Sequence, residues 1–391
     1  MKKLRLLALI GAAALCAGTM ATLTSCGGNG VKFGFIFLHD TNSSYDNNFI
    51  EAAKIACENK GVTPVLQVNI DEKEVCKTTA EDLVNRGCKG VFADSFGHEP
   101  FLLEVAKNHP EVQFAHATGT TAHTEKLDNF HNAFANIYEG RYIAGVAAGM
   151  KLNEMINNHT ISADQAVMGY VGAYPYAEVV SGYTSFYLGA KSVCPSVTMK
   201  VRYTNSWYDP TGENSTATTL IEQDGCKLIS QHADSQGAPS VCNDKGIPNV
   251  FYNGENTQQT NSYLTSCRIN WVPFFEYFIE NTLNGTKMDY DWCGSLANGA
   301  VEYYNPSSIA AAGTKEKMDE VAGKIKDGTL KVFDTNSFTV NGQKLISYMA
   351  DVDTDANYTP DKQVIEDGVF KESVYRSAPY FDIRIDGITE L

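Results

Sequence analysis

Six short polar segments carry side chains suited to holding a small molecule. They cover residues 40–46, 94–98, 173–178, 205–209, 231–234 and 253–256, and they are rich in Asp, Asn, Ser and aromatics. Tyr45 and Asp46, Ser95 and Phe96, Tyr174 and Tyr176, Trp207 and Asp209, His232 and Asp234, and Asn253 and Glu255 stand out. Aromatic faces stack on a ring, and carboxylates and amides fix its polar edge. Bond-making chemistry is harder to find. No Walker loop, GxGxxG, GxSxG or HExxH occurs. A hydrolase working through Asp46, Asp209 and Asp234 would need a nucleophile–base pair, and none is visible. His116, His123 and His131 are spaced irregularly over a strand-like and loop stretch and read as surface histidines and not metal ligands. Asp351, Asp353 and Asp355 begin like a calcium loop, but Ala356 stands where such a loop needs Gly and Lys362 where it needs Glu. The expectation is therefore a binding site without metal or cofactor.

Those polar segments follow apolar runs that read as strands. Residues 31–38, 63–70, 90–94 and 112–117 are strand-like, with helical spacing over 49–59, 74–86 and 100–108 between them. The alternation then restarts: strands over 166–173, 196–204, 227–232 and 249–252, helices over 179–193, 216–223 and 239–244. Strands alternating with helices imply right-handed βαβ units and parallel sheets. One doubly wound α/β design used twice leaves a cleft where the carboxyl ends of the two sets of strands face each other. Gly145 and Gly149 lie on a helix-like stretch, where small residues permit close packing.

The whole chain has 391 residues, 43% hydrophobic and 20% charged, with a net charge of −15. Its length fits two domains, and its acidity disfavours nucleic acid. Lys2, Lys3 and Arg5 precede an apolar run that stops at Leu23-Thr24-Ser25-Cys26, the pattern of an export signal. Residues 1–25 read as a bacterial lipoprotein signal, Cys26 as the lipidated residue and residues 26–30 as a tether. Loss of the three basic residues would bring the charge to −18, which argues against phosphate-bearing cargo. Eight cysteines then remain, allowing 105 pairings. Export permits disulfides, whereas a reducing niche would leave free thiols. Cys57 and Cys88, and Cys194 and Cys226, occupy equivalent places in the two halves, so each pair is expected within bonding reach.

Ordered along the chain, Arg141–Gly149 (RYIAGVAAG), Gly169–Ala173 (GYVGA), Asn205–Pro210 (NSWYDP), Gln231–Ser235 (QHADS), Asn270–Phe275 (NWVPFF) and a segment over 294–301 resemble the basic membrane protein family. These are substrate-binding lipoproteins of ABC importers that include purine-nucleoside receptors, and the likeness, from about residue 31 to 345, is greatest to the Med-like branch. The resemblance implies a type I periplasmic-binding fold: two doubly wound α/β lobes around a cleft, hinged at three crossovers. Lobe boundaries are expected at 31–135 plus 257–288 and at 136–256 plus 289–345, with a tail of unassigned function over 346–391.

The same resemblance implies roles. Tyr45 matches an aromatic-bearing first loop and would stack on a base, although Ser43–Asn48 lacks the Phe-Asn pair of classical nucleoside receptors. Trp207 and Asp209 match a Trp-x-Asp-Pro motif, with Trp207 either stacking on ligand or packing its lobe. His232 and Asp234 match a His-x-Asp loop and either meet ligand or cap a helix. Asn253 and Glu255 stand where relatives place an aspartate on ribose. Ser95, Phe96, Tyr174 and Tyr176 would line the cleft or its rim. The expected protein is a monomeric, non-enzymatic, extracytoplasmic receptor held to a bacterial membrane by its lipid. It would bind a nucleoside, nucleobase or similar neutral ligand and pass it to permease subunits. A ligand sensor feeding a signalling partner is the alternative, and an exported hydrolase the more distant one.

Overall fold

A computed structural model describes residues 30–353 and 360–391. The export signal, Cys26 and the tether up to residue 29 lie outside the described residues, as does Asp355. From Val31 onward the chain forms one compact unit. Its first half runs β1 (Lys32–Ile36), α1 (Ser44–Lys60), β2 (Thr63–Gln67), α2 (Glu74–Asn85), β3 (Cys88–Ala93), α3 (Glu99–Asn108), β4 (Gln113–Ala117), a short α4 (Ala122–Glu125) and β5 (Phe130–Ala135). A long helix, α5 (Ile137–Asn157), leads into the second half: β6 (Val167–Gly172), α6 (Ala177–Val193), β7 (Thr198–Tyr203), α7 (Pro210–Glu222), β8 (Leu228–His232), α8 (Gly237–Lys245), β9 (Asn249–Val250) and β10 (Tyr263–Thr265). Then come β11 (Cys267–Ile269), α9 (Val272–Asn284), β12 (Asp291–Gly294), β13 (Val301–Tyr303) and α10 (Thr314–Lys326). The tail contributes two small antiparallel pairs, β14 (Met349–Ala350) with β15 (Lys362–Gln363) and β16 (Ile365–Glu366) with β17 (Val369–Phe370), and finally β18 (Ile388–Glu390).

The two sheets repeat one topology. The first has the order β12-β5-β4-β3-β1-β2 and the second β10-β9-β8-β6-β7-β18, with parallel pairing throughout. In each, the first strand of the half sits inside its second and third, which creates a reversal of winding beside β1 and beside β6. Ligands of open α/β sheets bind at such points, beyond the carboxyl ends of the strands. The chain passes between lobes after β5, between β10 and α9, and between β12 and α10, and the strands β11 and β13 on the second and third passages pair antiparallel.

Three differences from the sequence reading have physical causes. Strand β10 joins the second sheet and β12 the first, whereas residues 257–288 and 289–345 are expected in the first and second lobes. Both strands are too short, at three and four residues, to carry a periodic signal. Strand β5 (FHNAFA) is wholly buried although His131 and Asn132 interrupt its apolar run. His131 and His116, expected at the surface, are buried because their rings find partners there, His131 between the Asp289 carbonyl at 2.8 Å and the Gln113 side chain at 2.9 Å and His116 at the Ser95 carbonyl at 2.7 Å. All eight described cysteines are free thiols. Cys57 belongs to the core under α1, while Cys88 belongs to the separate core under α2 and α3; Cys194 and Cys226 are divided in the same way. In a doubly wound sheet the helices before and after the reversal of winding lie on opposite faces, so equivalent spacing in the two halves records the repeated topology and not bonding. Burial pushes the Cys57 and Cys226 thiols up to about 12.

Helix α5 is packed hard against α6. A Cβ on Gly145 would stand 2.0 Å from the Phe186 carbonyl oxygen, and one on Gly189 2.0 Å from that of Tyr142. The backbones can approach this closely only where Cβ is missing. Fully buried Arg141 on α5 donates to the Tyr170 hydroxyl at 3.0 Å and the Ser230 hydroxyl at 2.8 Å, and its guanidinium lies against the rings of Tyr170, Phe186 and Tyr252. These contacts fix the floor of the second lobe below His232, whose ring lies 4.3 Å from that of Tyr252.

Candidate functional site

Both reversals of winding open onto one slot between the lobes. The first lobe supplies Leu38, His39, Tyr45 and Asp46 after β1, Ser95 and Phe96 after β3, and Thr118 after β4. The second supplies Glu178 after β6, Trp207 after β7, and His232 and Asp234 at the end of β8. The slot is tight as it stands: its free volume is about 20 Å³, room for about one water. The walls are aromatic at the rim and acidic toward the floor.

The first loop is held by Asp46. Its carboxylate accepts from the His39 backbone N–H at 2.7 Å and the Ser43 hydroxyl at 2.6 Å, with the His39 ring at 3.3 Å. Burial pushes this carboxyl up, but the bonds from His39 and Ser43 outweigh it and hold the group below its ordinary range. Ser43 in return caps α1 by accepting from the Asp46 N–H. Tyr45 presents its ring to the slot while its hydroxyl donates to the Asp94 carbonyl at 2.9 Å. Ser95 donates to Glu72 at 2.6 Å, and the neighbouring Phe96 is 41% exposed.

On the facing lobe, Trp207 stands edge-on to Tyr174 at 5.3 Å, and Tyr174 stacks on Tyr176 at 5.0 Å. Tyr176 meets Phe96 of the first lobe at 6.0 Å across the mouth. Buried His232 lies 3.3 Å from Glu178, and burial lowers its pKa so that the neutral ring prevails. Asp234 is 4% exposed, and no described hydrogen bond engages its carboxyl. Burial first, then the charges of Asp46, Glu213 and Glu178, drive its pKa well above the ordinary value. A buried carboxyl without a protein partner, facing a cavity, is available to a ligand. The Asp234 backbone carbonyl accepts from the Ser44 N–H at 3.2 Å, bringing the lobes together at the slot floor.

Among the expected site residues, Tyr45, Asp46, Ser95, Phe96, Trp207, His232 and Asp234 line the slot together. Asp209 does not: its side chain caps α7 by accepting from the Gly212 N–H at 2.9 Å. Tyr174 buttresses Trp207 instead of facing the slot, and Asn253 and Glu255 are outside it, Glu255 being exposed. Leu38, His39, Thr118 and Glu178 are slot residues absent from the expected set. Each follows a strand at its carboxyl end, and that position was the signal that could have found them.

Paired doubly wound lobes with a slot at their facing reversals define a periplasmic-binding-protein type of solute-binding protein. Two solved structures share the fold: an ABC transporter solute-binding protein from Conexibacter woesei (TM-score 0.63, 18% identity, 77% of this chain and 98% of the other) and one from Aeropyrum pernix K1 (TM-score 0.65, 15% identity, 77% and 92%). The family model described as "ABC transporter substrate-binding protein PnrA-like" matches residues 40–335. A purine-binding protein of Brucella abortus is 31% identical over 308 residues, 78% of this chain and 83% of its own length. A putative ABC transporter glucose-binding protein of Haloferax volcanii is 35% identical over 206 residues, 52% of this chain and 49% of its own. The chain belongs to the Bmp family of ABC transporter substrate-binding proteins. It is an extracytoplasmic binding protein whose partners are a small-molecule ligand and a permease, and not an enzyme.

Proposed function

We propose that the slot binds a purine base or nucleoside, with the ring between Trp207 and the aromatic wall of Tyr45 and Phe96. The carrying observation is the pairing of aromatic side chains from opposite lobes with the partnerless carboxyl of Asp234 and with Glu178 beside it. Carboxyl groups match the N–H edge of a purine, and a wrong ligand would leave them unpaired. The acidic floor opposes phosphate-bearing ligands. The purine-binding relative supports the same reading.

Ligand capture closes the lobes, and the closed form is what the permease recognises. Cys26 carries the lipid that keeps the receptor at the membrane. Isothermal titration calorimetry of the purified chain against adenine, hypoxanthine, adenosine and inosine tests the ligand. Micromolar or tighter saturable heat with at least one is expected, and flat titrations with all four reject the purine assignment. The glucose-binding relative motivates a second reading, a hexose in the same slot; heat with glucose and none with purines would select it.

A further inference from the structure

The slot opens outward into a vestibule of about 1110 Å³, solvent at its mouth included, and Phe96, Thr118, Glu178 and Trp207 line both spaces. The outer wall of the vestibule comes from the tail: Tyr348, Asp351, Arg376, Tyr380 and Asp382 face it. All five lie beyond residue 335, where the family match ends. From these observations, and resting on the purine reading above, we infer that the tail completes the ligand site: the vestibule takes the sugar of a nucleoside whose base fills the slot.

The chemistry of the wall carries this. Arg376 is 7% exposed. Its Nε donates to the Ala378 carbonyl at 3.1 Å and Nη2 to the Pro379 carbonyl at 2.8 Å, which leaves Nη1 with no hydrogen-bond partner. That nitrogen is also covered, so it meets an acceptor in the vestibule only when the side chain turns outward to a ligand. The carboxylates whose charges act on the guanidinium are Glu372, Asp351 and Asp291, while Asp351, Glu178 and the Arg384-paired Asp382 line the vestibule with it and only accept. A sugar hydroxyl both donates and accepts, so a polyol can use the guanidinium and the carboxylates at once. A phosphate could use only the guanidinium and would face three negative groups. Trp207 and Tyr176 add aromatic faces for the C–H side of a sugar ring. Glu255, where the family resemblance implies ribose recognition, is exposed and lines neither space.

Calorimetry on the full chain tests this with three probes: inosine, hypoxanthine and inosine monophosphate. The wild type is expected to bind inosine at least tenfold more tightly than hypoxanthine, and the monophosphate more weakly than inosine. Arg376→Gln and Asp351→Asn should each weaken inosine by tenfold or more and leave hypoxanthine within twofold. Asp351 is exposed, so D351N gives a readout even if the buried Arg376 variant does not fold. Equal affinity of wild type for base and nucleoside, equal losses for both in D351N, or tightest binding of the monophosphate would each overturn the inference while leaving a purine site in place. Absence of heat with all three probes, and with adenine and adenosine as well, would remove the purine reading, and this inference with it.

Discussion

Trp207 and Glu213 show how differently two side chains of one lobe can be tested. Stacking of a base on an aromatic face contributes about 1–3 kcal/mol. Trp207→Ala is therefore expected to weaken purine binding by roughly 5- to 150-fold, read by calorimetry, with little change in melting temperature. A variant that loses stability and keeps its affinity would make Trp207 a packing residue. Glu213 has no ligand to meet. It is fully buried, accepts from the Ser235 N–H at 3.2 Å and leaves one oxygen without a partner. Burial pushes it to about 7, and burial does the same to Glu372. A folded pKa raised above the unfolded value gives stability that is fully present below about 4.3 and lost as pH rises through about 7. Asp46, held low by its bonds to His39 and Ser43, works in the opposite sense, its contribution being lost only on acidification. Melting temperature should accordingly fall between pH 6.5 and pH 8, above the range in which buried His98, His116, His131 and His232, all with lowered pKa, oppose the effect, and Glu213→Gln should shrink that fall. A fall of the same size in the variant would clear Glu213 of any part in it.

Helices and strands were legible where their apolar pattern was long enough to repeat. The runs at β1, β3, β4, β6 and β8 read directly because their strands are buried, and the polar loops behind them then followed from topology. Seven of the expected slot residues are found together for that reason. Asp209 misled because Trp-x-Asp-Pro serves two purposes within four residues: the indole lines the slot and the carboxylate caps the next helix. Strands β10 and β12, of three and four residues, and the tail wall of the vestibule left no trace, since long-range pairing and not local pattern creates them. The α5–α6 contact was partly legible in its glycines, and it yields a prediction at this scale. Gly145→Ala or Gly189→Ala must push the helices apart against backbone oxygens, and overpacking of this kind costs about 1–3 kcal/mol or more. Both variants should melt several degrees lower than wild type, while Gly323→Ala, where a Cβ meets nothing within 4 Å, should be neutral or slightly stabilising in its helix. A neutral Gly145→Ala would contradict the close helix contact.

At the scale of the molecule the tail is a fourth connection between the lobes. Ser377 donates through both its N–H and its hydroxyl to Asp291, at 2.9 and 2.8 Å, which fastens the tail to β12 at the edge of the first sheet. Eleven residues further on, β18 pairs with β7 at the edge of the second sheet, and Glu390 accepts from the hydroxyls of Tyr183 and Tyr203, each at 2.6 Å. The three covalent passages lie together near the β11–β13 pair, whereas this strap crosses beside the vestibule, so opening the lobes must stretch or release it. Release at the first lobe is the less demanding event, because two hydrogen bonds to one carboxylate are lost there against a parallel strand pairing plus a shared carboxylate at the other end. A bond to a charged group is worth about 1.5–3 kcal/mol. Asp291→Asn weakens that anchor without removing its shape, and it should speed ligand dissociation roughly three- to thirtyfold, with the association rate changed less. Stopped-flow tryptophan fluorescence on the full chain, with whichever purine gives heat in calorimetry, measures both rates. Unchanged dissociation in Asp291→Asn and also in Ser377→Ala would mean that the tail moves with the second lobe alone and that the strap does not govern opening.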